Sequence, residues 1–354
     1  MTNYKNQLGQ LIEAMAEQGA SDLHLSVGHR PTTRVSGGLI PLVNFAELKA
    51  EDTQGLLFEL LADESKKLFL DKKDLDFSYT GLKGLRFRGN AFYQMGMIGV
   101  ALRLITAKIR SINELNLPPI LADITKKKQG FFLVVGPVGQ GKSTTLAAMV
   151  NLINQERSEH IITVEDPVEY IYPMGKSIID QREVRFDTAD FHTALKSMFR
   201  EDVNVALIGE MRTPETISTA VTAAETGHLI FSTLHTNNAA QTIDRIIDSF
   251  PGSQQPQIKV QLAGSLIGVF SQRLLPRISG GLVPAYELLL NNSAVANLIR
   301  EGRTHEINIV LETGSESGMI DMNHSIASLI RAGEINAEDA FKYTLDPESL
   351  QRLL

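Results

Sequence analysis

The sequence predicts an α/β protein in two parts, an N-terminal α+β domain and a larger domain built on a mostly parallel sheet. Three observations carry that expectation. Four largely apolar runs, 131–135, 161–164, 205–208 and 229–234, have the texture of strands buried on both faces. Helical patterns at 143–155, 191–200, 213–226 and 239–248 separate and follow them, and strand alternating with helix is the signature of a parallel sheet. A glycine-rich turn joins the first run to the first of these helices.

Leu8, Leu11, Ile12 and Met15 fall at helical spacing, and Gly19 ends that helix. Leu23, Leu25 and Val27 alternate with Asp22, His24 and Ser26, the period of a half-buried strand. Further strands are expected at 33–35, 75–79, 85–94 and 99–105, with helix over roughly 46–69. This assigns 1–106 to the first domain. Residues 107–119 read as a linker, because Pro118-Pro119 breaks helix. The second domain then runs over 120–354, and from about Ser253 its pattern is mostly helical. No internal repeat is visible.

The chain has 354 residues, 43% of them hydrophobic, enough for two well-buried cores. Its net charge of -7 disfavours a sequence-independent nucleic-acid binder, whose affinity comes from neutralising phosphates. Lys126-Lys127-Lys128 is the one compact basic run and reads as a solvated turn. With no cysteine, disulfides, iron–sulfur clusters and cysteine-ligated zinc are excluded. Met1 to Glu17 carries charges throughout, unlike a signal peptide, and no stretch approaches the ~20 apolar residues that span a bilayer. The expectation is a soluble, cytoplasmic protein that meets the membrane only through partners.

Gly136-Pro137-Val138-Gly139-Gln140-Gly141-Lys142-Ser143, followed by Thr144, matches the pattern G-x-x-x-x-G-K-[ST] between a buried strand and a helix. Glycines let backbone N–H groups curl around phosphate oxygens, and a helix N-terminus adds positive partial charge. Lys142 is therefore expected on the β and γ phosphates of ATP, and Ser143 on Mg²⁺. Glu165, Asp166 and Glu169 follow one apolar run, and Glu210 follows another. Acids at the C-terminal edge of parallel strands face the ligand crevice, where they can hold Mg²⁺ or orient water. Glu165, Glu169 and Glu210 are the candidate metal ligands beside Ser143. His235 closes the last apolar run and is a candidate γ-phosphate sensor. His228, at the other end of that run, is as readily a structural residue.

The motifs GPVGQGKSTTLAAM, ITVEDPVEYIY, ALIGEMRTPETI and TGHLIFSTLHTNNAAQTIDR stand in this order, with QGASDLHLS before them and NLIRE after. In this the chain resembles the type IV pilus retraction ATPase (PilT) family of the secretion-ATPase superfamily, over nearly its whole length. The resemblance implies a PAS-like N-terminal domain, a RecA-like P-loop ATPase domain with a helical C-terminal part, and a homohexamer binding ATP between its domains. It implies Glu210 as the catalytic carboxylate, Glu169 in the acidic box, His235 in the histidine box, and Arg86 and Arg88 reaching the nucleotide, with Arg103 a weaker candidate. It implies pilus disassembly and twitching motility as the work done. The partners it implies are an inner-membrane platform protein, with NLIRE as a candidate relay, and a second retraction ATPase. Location would be peripheral at the inner face of the cytoplasmic membrane. Four departures from the family pattern stand out: Val138 after Gly136-Pro137, Gln140 for a small residue, Val203 for proline, and Gly89 for a β-branched residue, expected to loosen its strand. The rivals are a pilus-extension or secretion ATPase, a nucleic-acid translocase, and a non-hydrolysing nucleotide-regulated module. Relatives of the first kind carry an extra N-terminal domain and often a cysteine-rich insertion.

Overall fold

The computed structural model describes residues 3–35, 37–81, 84–105 and 108–354. Met1 and Ala107, the expected starts of the first domain and of the linker, lie outside the described residues. The chain divides into two units, one of Met1–Lys108 with Glu169–Ile171, the other of Ile109–Val168 with Tyr172–Leu354.

The first unit opens with α1 (Tyr4–Glu17), capped by the Asn3 side chain on Asn6 N–H at 3.0 Å. Its four apolar residues at helical spacing are all buried. Gly19, in the left-handed region at φ +61°, turns the chain into β1 (Asp22–Leu25). Val27 falls beyond that strand. The sheet is six-stranded and antiparallel, in the order β3-β2-β1-β6-β5-β4. Here β2 is Thr32–Val35, β3 Gly38–Pro41, β4 Asp74–Thr80, β5 Arg86–Gln94 and β6 Met97–Ile105. The one helix expected over 46–69 is two, α2 (Ala50–Leu60) and α3 (Asp63–Lys72). Leu61 and Ala62 between them are extended, and Asp63 and Glu64 start α3 where the helix dipole favours acids.

Gly89 does not leave a gap in β5. It pairs with Phe77 of β4, whose ring would lie 2.3 Å from a Cβ there. Gly99 of β6 faces Phe92 in the same manner, at 2.7 Å. In each pair the aromatic ring covers the glycine backbone, a known compensation for a missing side chain in a sheet.

The second unit holds a seven-stranded sheet in the order β13-β12-β7-β11-β10-β8-β9. The four predicted runs are its centre: β7 (Gly130–Val135), β8 (His160–Glu165), β10 (Val205–Ile208) and β11 (Leu229–Leu234), all parallel. Burial on both faces explains their apolar texture. Phe131, Leu133 and Val135 of β7 enter the core under α6 (Phe191–Met198), α7 (Pro214–Glu225), α8 (Ala239–Asp248) and α9 (Gln255–Ser265), whereas Phe132 and Val134 enter the core under α4 (Ile120–Thr125) and α5 (Lys142–Glu156). β9 (Ile178–Glu183) adds an edge strand parallel to β8. The mostly helical pattern expected from Ser253 is corrected by two long strands. β12 (Leu266–Pro276) pairs parallel with β7, and β13 (Leu282–Leu290) antiparallel with β12. Helices then return as α10 (Ser293–Glu301) and α11 to α14, at Ile307–Thr313, Met322–Arg331, Ala337–Ala340 and Pro347–Leu353. NLIRE lies on α10, capped by Asn292.

Candidate active site

The glycine-rich loop leaves β7 at Gly136 and enters α5 at Lys142. Its glycines are structural requirements. Gly136 has φ +147°, and a Cβ there would lie 2.5 Å from the Gln272 carbonyl oxygen. Gly139 and Gly141 sit at φ +78°, where side chains are strained. Such turns leave backbone N–H groups in a concave array that favours anions, and the α5 N-terminus adds to it. Val138 forms the exposed tip, and Pro137, Ser143 and Thr144 are half-buried. Gln140 is fixed from both ends: its side-chain oxygen accepts from Leu274 N–H at 2.6 Å, and its carbonyl accepts from Gln272 Nε2 at 2.7 Å.

Lys142 is buried, and its Nζ donates to the carbonyls of Gly136 (2.9 Å) and Pro137 (2.8 Å). It also lies 3.4 Å from His235 Nδ1. His235 follows β11, whose last residue Leu234 pairs with Val135 at the root of the loop. Its other nitrogen, Nε2, is 3.9 Å from Glu210, and Glu210 accepts from Arg212 Nε at 2.8 Å. Lys142, His235, Glu210 and Arg212 thus form one line of groups across the C-terminal strand edges. Burial first, and then the Lys142 ammonium, holds the His235 imidazole below its usual titration range, while Glu210 opposes them. The lowered pKa favours the neutral ring. A cavity of about 600 Å³ opens beside Glu210, Arg212, His235, Asn237 and Arg245, and residues 136–144 are not among its walls.

Glu165 ends β8 and is buried. Its neighbour Asp166 pairs with Arg185 at 3.2 Å. Glu169 is exposed and counts with the first unit. Among the described residues no group of three or more His, Asp or Glu is arranged to hold a metal ion. That sparse donor set fits Mg²⁺, which takes one or two protein ligands and otherwise phosphate oxygens and water. Ser143 is the second residue of α5, and Glu210 approaches Lys142 only through His235.

Arg86 and Arg88 lie on one face of β5, with Phe87 buried on the other. Arg103, the weaker candidate, donates to Asp22 at 2.8 Å across the β1–β6 pair. His228 is half-buried at the other end of β11. Its Nδ1 meets the Ala223 carbonyl at 3.0 Å and its ring packs edge-on against Phe199. Sequence reasoning missed Gln272, Arg273 and Glu287, all on the two unexpected strands. The signal lay in three consecutive polar residues, Ser271 to Arg273, within an otherwise apolar stretch.

Residues 83–332 match the family described as "Type II/IV secretion system protein". A type IV pilus retraction ATPase, PilT, of Pseudomonas aeruginosa is 40% identical over 340 residues, 96% of this chain and 98% of its own. A twitching motility protein of Neisseria gonorrhoeae is 44% identical over 321 residues, 90% of this chain and 86% of its own. Among solved structures, the pilus retraction motor PilT with bound ADP superposes with a TM-score of 0.91 at 44% identity, covering 97% of this chain and 98% of that one. Taken with the loop, the strand-end glutamate and the histidine, these matches establish that the chain belongs to the type II/IV secretion system protein family and, within it, to the PilT family of ATPases.

Proposed function

We propose that this ATPase is the motor of type IV pilus retraction, working as a homohexamer that couples ATP hydrolysis to pilus disassembly. The observation that carries the catalytic part is the line Lys142–His235–Glu210 across adjacent strand ends. In the proposed reaction, loop amides and Lys142 hold the β and γ phosphates, with Thr144 continuing the cradle. Glu210 orients the attacking water and takes up its proton, with no covalent intermediate. Neutral His235, between Lys142 and Glu210, senses whether the γ-phosphate is present. Mg²⁺, held by Ser143 and one of Glu165, Glu169 and Glu210, would supply charge neutralisation at the phosphates. Arg86 and Arg88 provide positive charge for the transition state, a role arginine suits because it stays charged. Product release relaxes the closed arrangement and moves one domain against the next. Force passes to an inner-membrane platform protein, through α10 as candidate relay, and a second retraction ATPase is a further partner. The motor works at the cytoplasmic face of the membrane. No helix among the described residues is long and apolar enough to cross it.

Two substitutions test this reading. Lys142→Ala should abolish nucleotide binding, whereas Glu210→Gln should keep binding and lower turnover by about a hundredfold or more, the scale of lost general-base catalysis. Full turnover in Glu210→Gln defeats the assignment. In cells, deletion complemented by a Lys142→Ala copy should leave excess pili that do not retract. Bald cells would instead mean extension.

A further inference from the structure

β12 runs beside the phosphate loop, and three consecutive residues of it, Ser271, Gln272 and Arg273, are buried and polar. Buried polar groups cost free energy unless they are bonded, so their partners explain their presence. Alternation along a strand sends Gln272 to one face and Ser271 and Arg273 to the other. On the first face, Gln272 Nε2 donates to the Gln140 carbonyl at 2.7 Å, and its Oε1 accepts from the Thr145 hydroxyl at 2.6 Å. Its own carbonyl fills the space that a Cβ at Gly136 would need. All three contacts fall on the phosphate loop and the first turn of α5. On the second face, Arg273 Nη2 donates to Asn237 Oδ1 at 2.9 Å and to the Asn237 carbonyl at 3.3 Å. The Ser271 hydroxyl donates to the same carbonyl at 2.8 Å. Asn237 stands two residues after His235. Among the described residues no carboxylate makes a salt bridge with Arg273, and its guanidinium binds carbonyl and amide oxygens instead.

We propose that β12 carries two positioning residues for the ATPase reaction: Gln272 seats the phosphate loop, and Arg273 seats the loop that bears His235. The inference rests on the assignment of ATP to residues 136–144. It separates two kinetic effects. A loosened phosphate loop weakens ground state and transition state alike, so affinity suffers. A loosened His235 loop disturbs groups engaged during hydrolysis, so turnover suffers.

The full-length chain with Gln272→Leu or Arg273→Met tests this, with ADP affinity by calorimetry, ATP turnover, and a melting curve for each variant. Gln272→Leu should weaken ADP about thirtyfold and hold kcat within about threefold, since two hydrogen bonds at their usual net value amount to roughly one and a half decades. Arg273→Met should lower kcat about tenfold with ADP affinity within about threefold, as expected for a charged hydrogen bond felt in turnover. Asn237 is exposed, so Asn237→Ala removes its side-chain acceptor Oδ1, the shorter of the two Arg273 contacts, and leaves the backbone carbonyl and the core in place. It should lower kcat in the same direction, and the Arg273→Met/Asn237→Ala double variant should be no slower than Arg273→Met alone. If Arg273→Met does not fold, Asn237→Ala decides. Equal losses of affinity and turnover in both β12 variants, or unchanged kcat in Asn237→Ala, would overturn the proposal. A parent chain that bound no ADP would overturn the functional assignment instead, so the two failures are distinct.

Discussion

Glu287 lies behind the His235 loop, its carboxylate accepting from Ala239 N–H at 2.7 Å at the start of α8. Burial pushes its pKa up to about 7. The Ala239 hydrogen bond pulls it back, Asp321 adds to the rise, and Arg273 opposes it. The folded pKa thus exceeds the unfolded one near 4.5, so the folded chain holds the extra proton between those values. The stability this group contributes is complete below the unfolded pKa and is lost as pH rises toward about 7. Glu287→Gln keeps the shape and the acceptor but has no proton to lose. The gap in melting temperature, variant minus parent, should therefore widen between pH 5 and 8, in favour of the variant. A gap that stays flat or narrows over that range would contradict the buried-acid account. The same residue marks the limit of sequence reading. Lys142, Glu210 and His235 were legible because a motif offset and the strand-end rule act locally. Glu287, Gln272 and Arg273 were not, because their partners are distant in the chain; Thr145 and Gln272 meet across 127 residues.

Among elements, legibility followed burial pattern. The four central strands announce themselves because both faces are apolar. β12 is equally buried, yet Ser271, Gln272 and Arg273 interrupt its run for the sake of the site. β3 has all four residues exposed, and β9, at the sheet edge, ends in Asp180-Gln181-Arg182-Glu183. Neither offers the periodicity that a core imposes. β5 shows a different limit. The sequence suggests a strand loosened by Gly89, where the family pattern has a β-branched residue. Strand propensity favours valine over glycine by about 1 kcal/mol at most. Crowding the Phe77 ring, which lies 2.3 Å from the would-be Cβ, costs about 1–3 kcal/mol by the usual overpacking penalty. Crowding wins, so Gly89→Val should lower stability in a urea melt. In a Phe77→Ala background, where the ring is gone, the same valine should be neutral or favourable. A more stable Gly89→Val in the parent background would show that the ring yields freely.

At the scale of the whole molecule, chemistry and work are separable claims. The phosphate loop, Glu210 and His235 all belong to the unit of Ile109–Val168 and Tyr172–Leu354, while Arg86 and Arg88 belong to Met1–Lys108. Every copy therefore carries each kind of group the proposed hydrolysis needs, and sites that worked independently would each turn over ATP at their own pace. A ring motor differs in one respect: a stalled site holds back its neighbours, because product release in one copy must be followed by movement in the next. Mixing tests this. Parent and Lys142→Ala chains are co-assembled at several ratios, and turnover is measured per total chain. Independent sites give a straight line from full activity to none. Coupled sites give a curve that falls below the line, most steeply at the first additions of inactive copies. The sagging curve is the expected outcome. A straight line, with co-assembly confirmed by mass, would leave the ATPase assignment standing and remove the coordinated ring from the account of retraction.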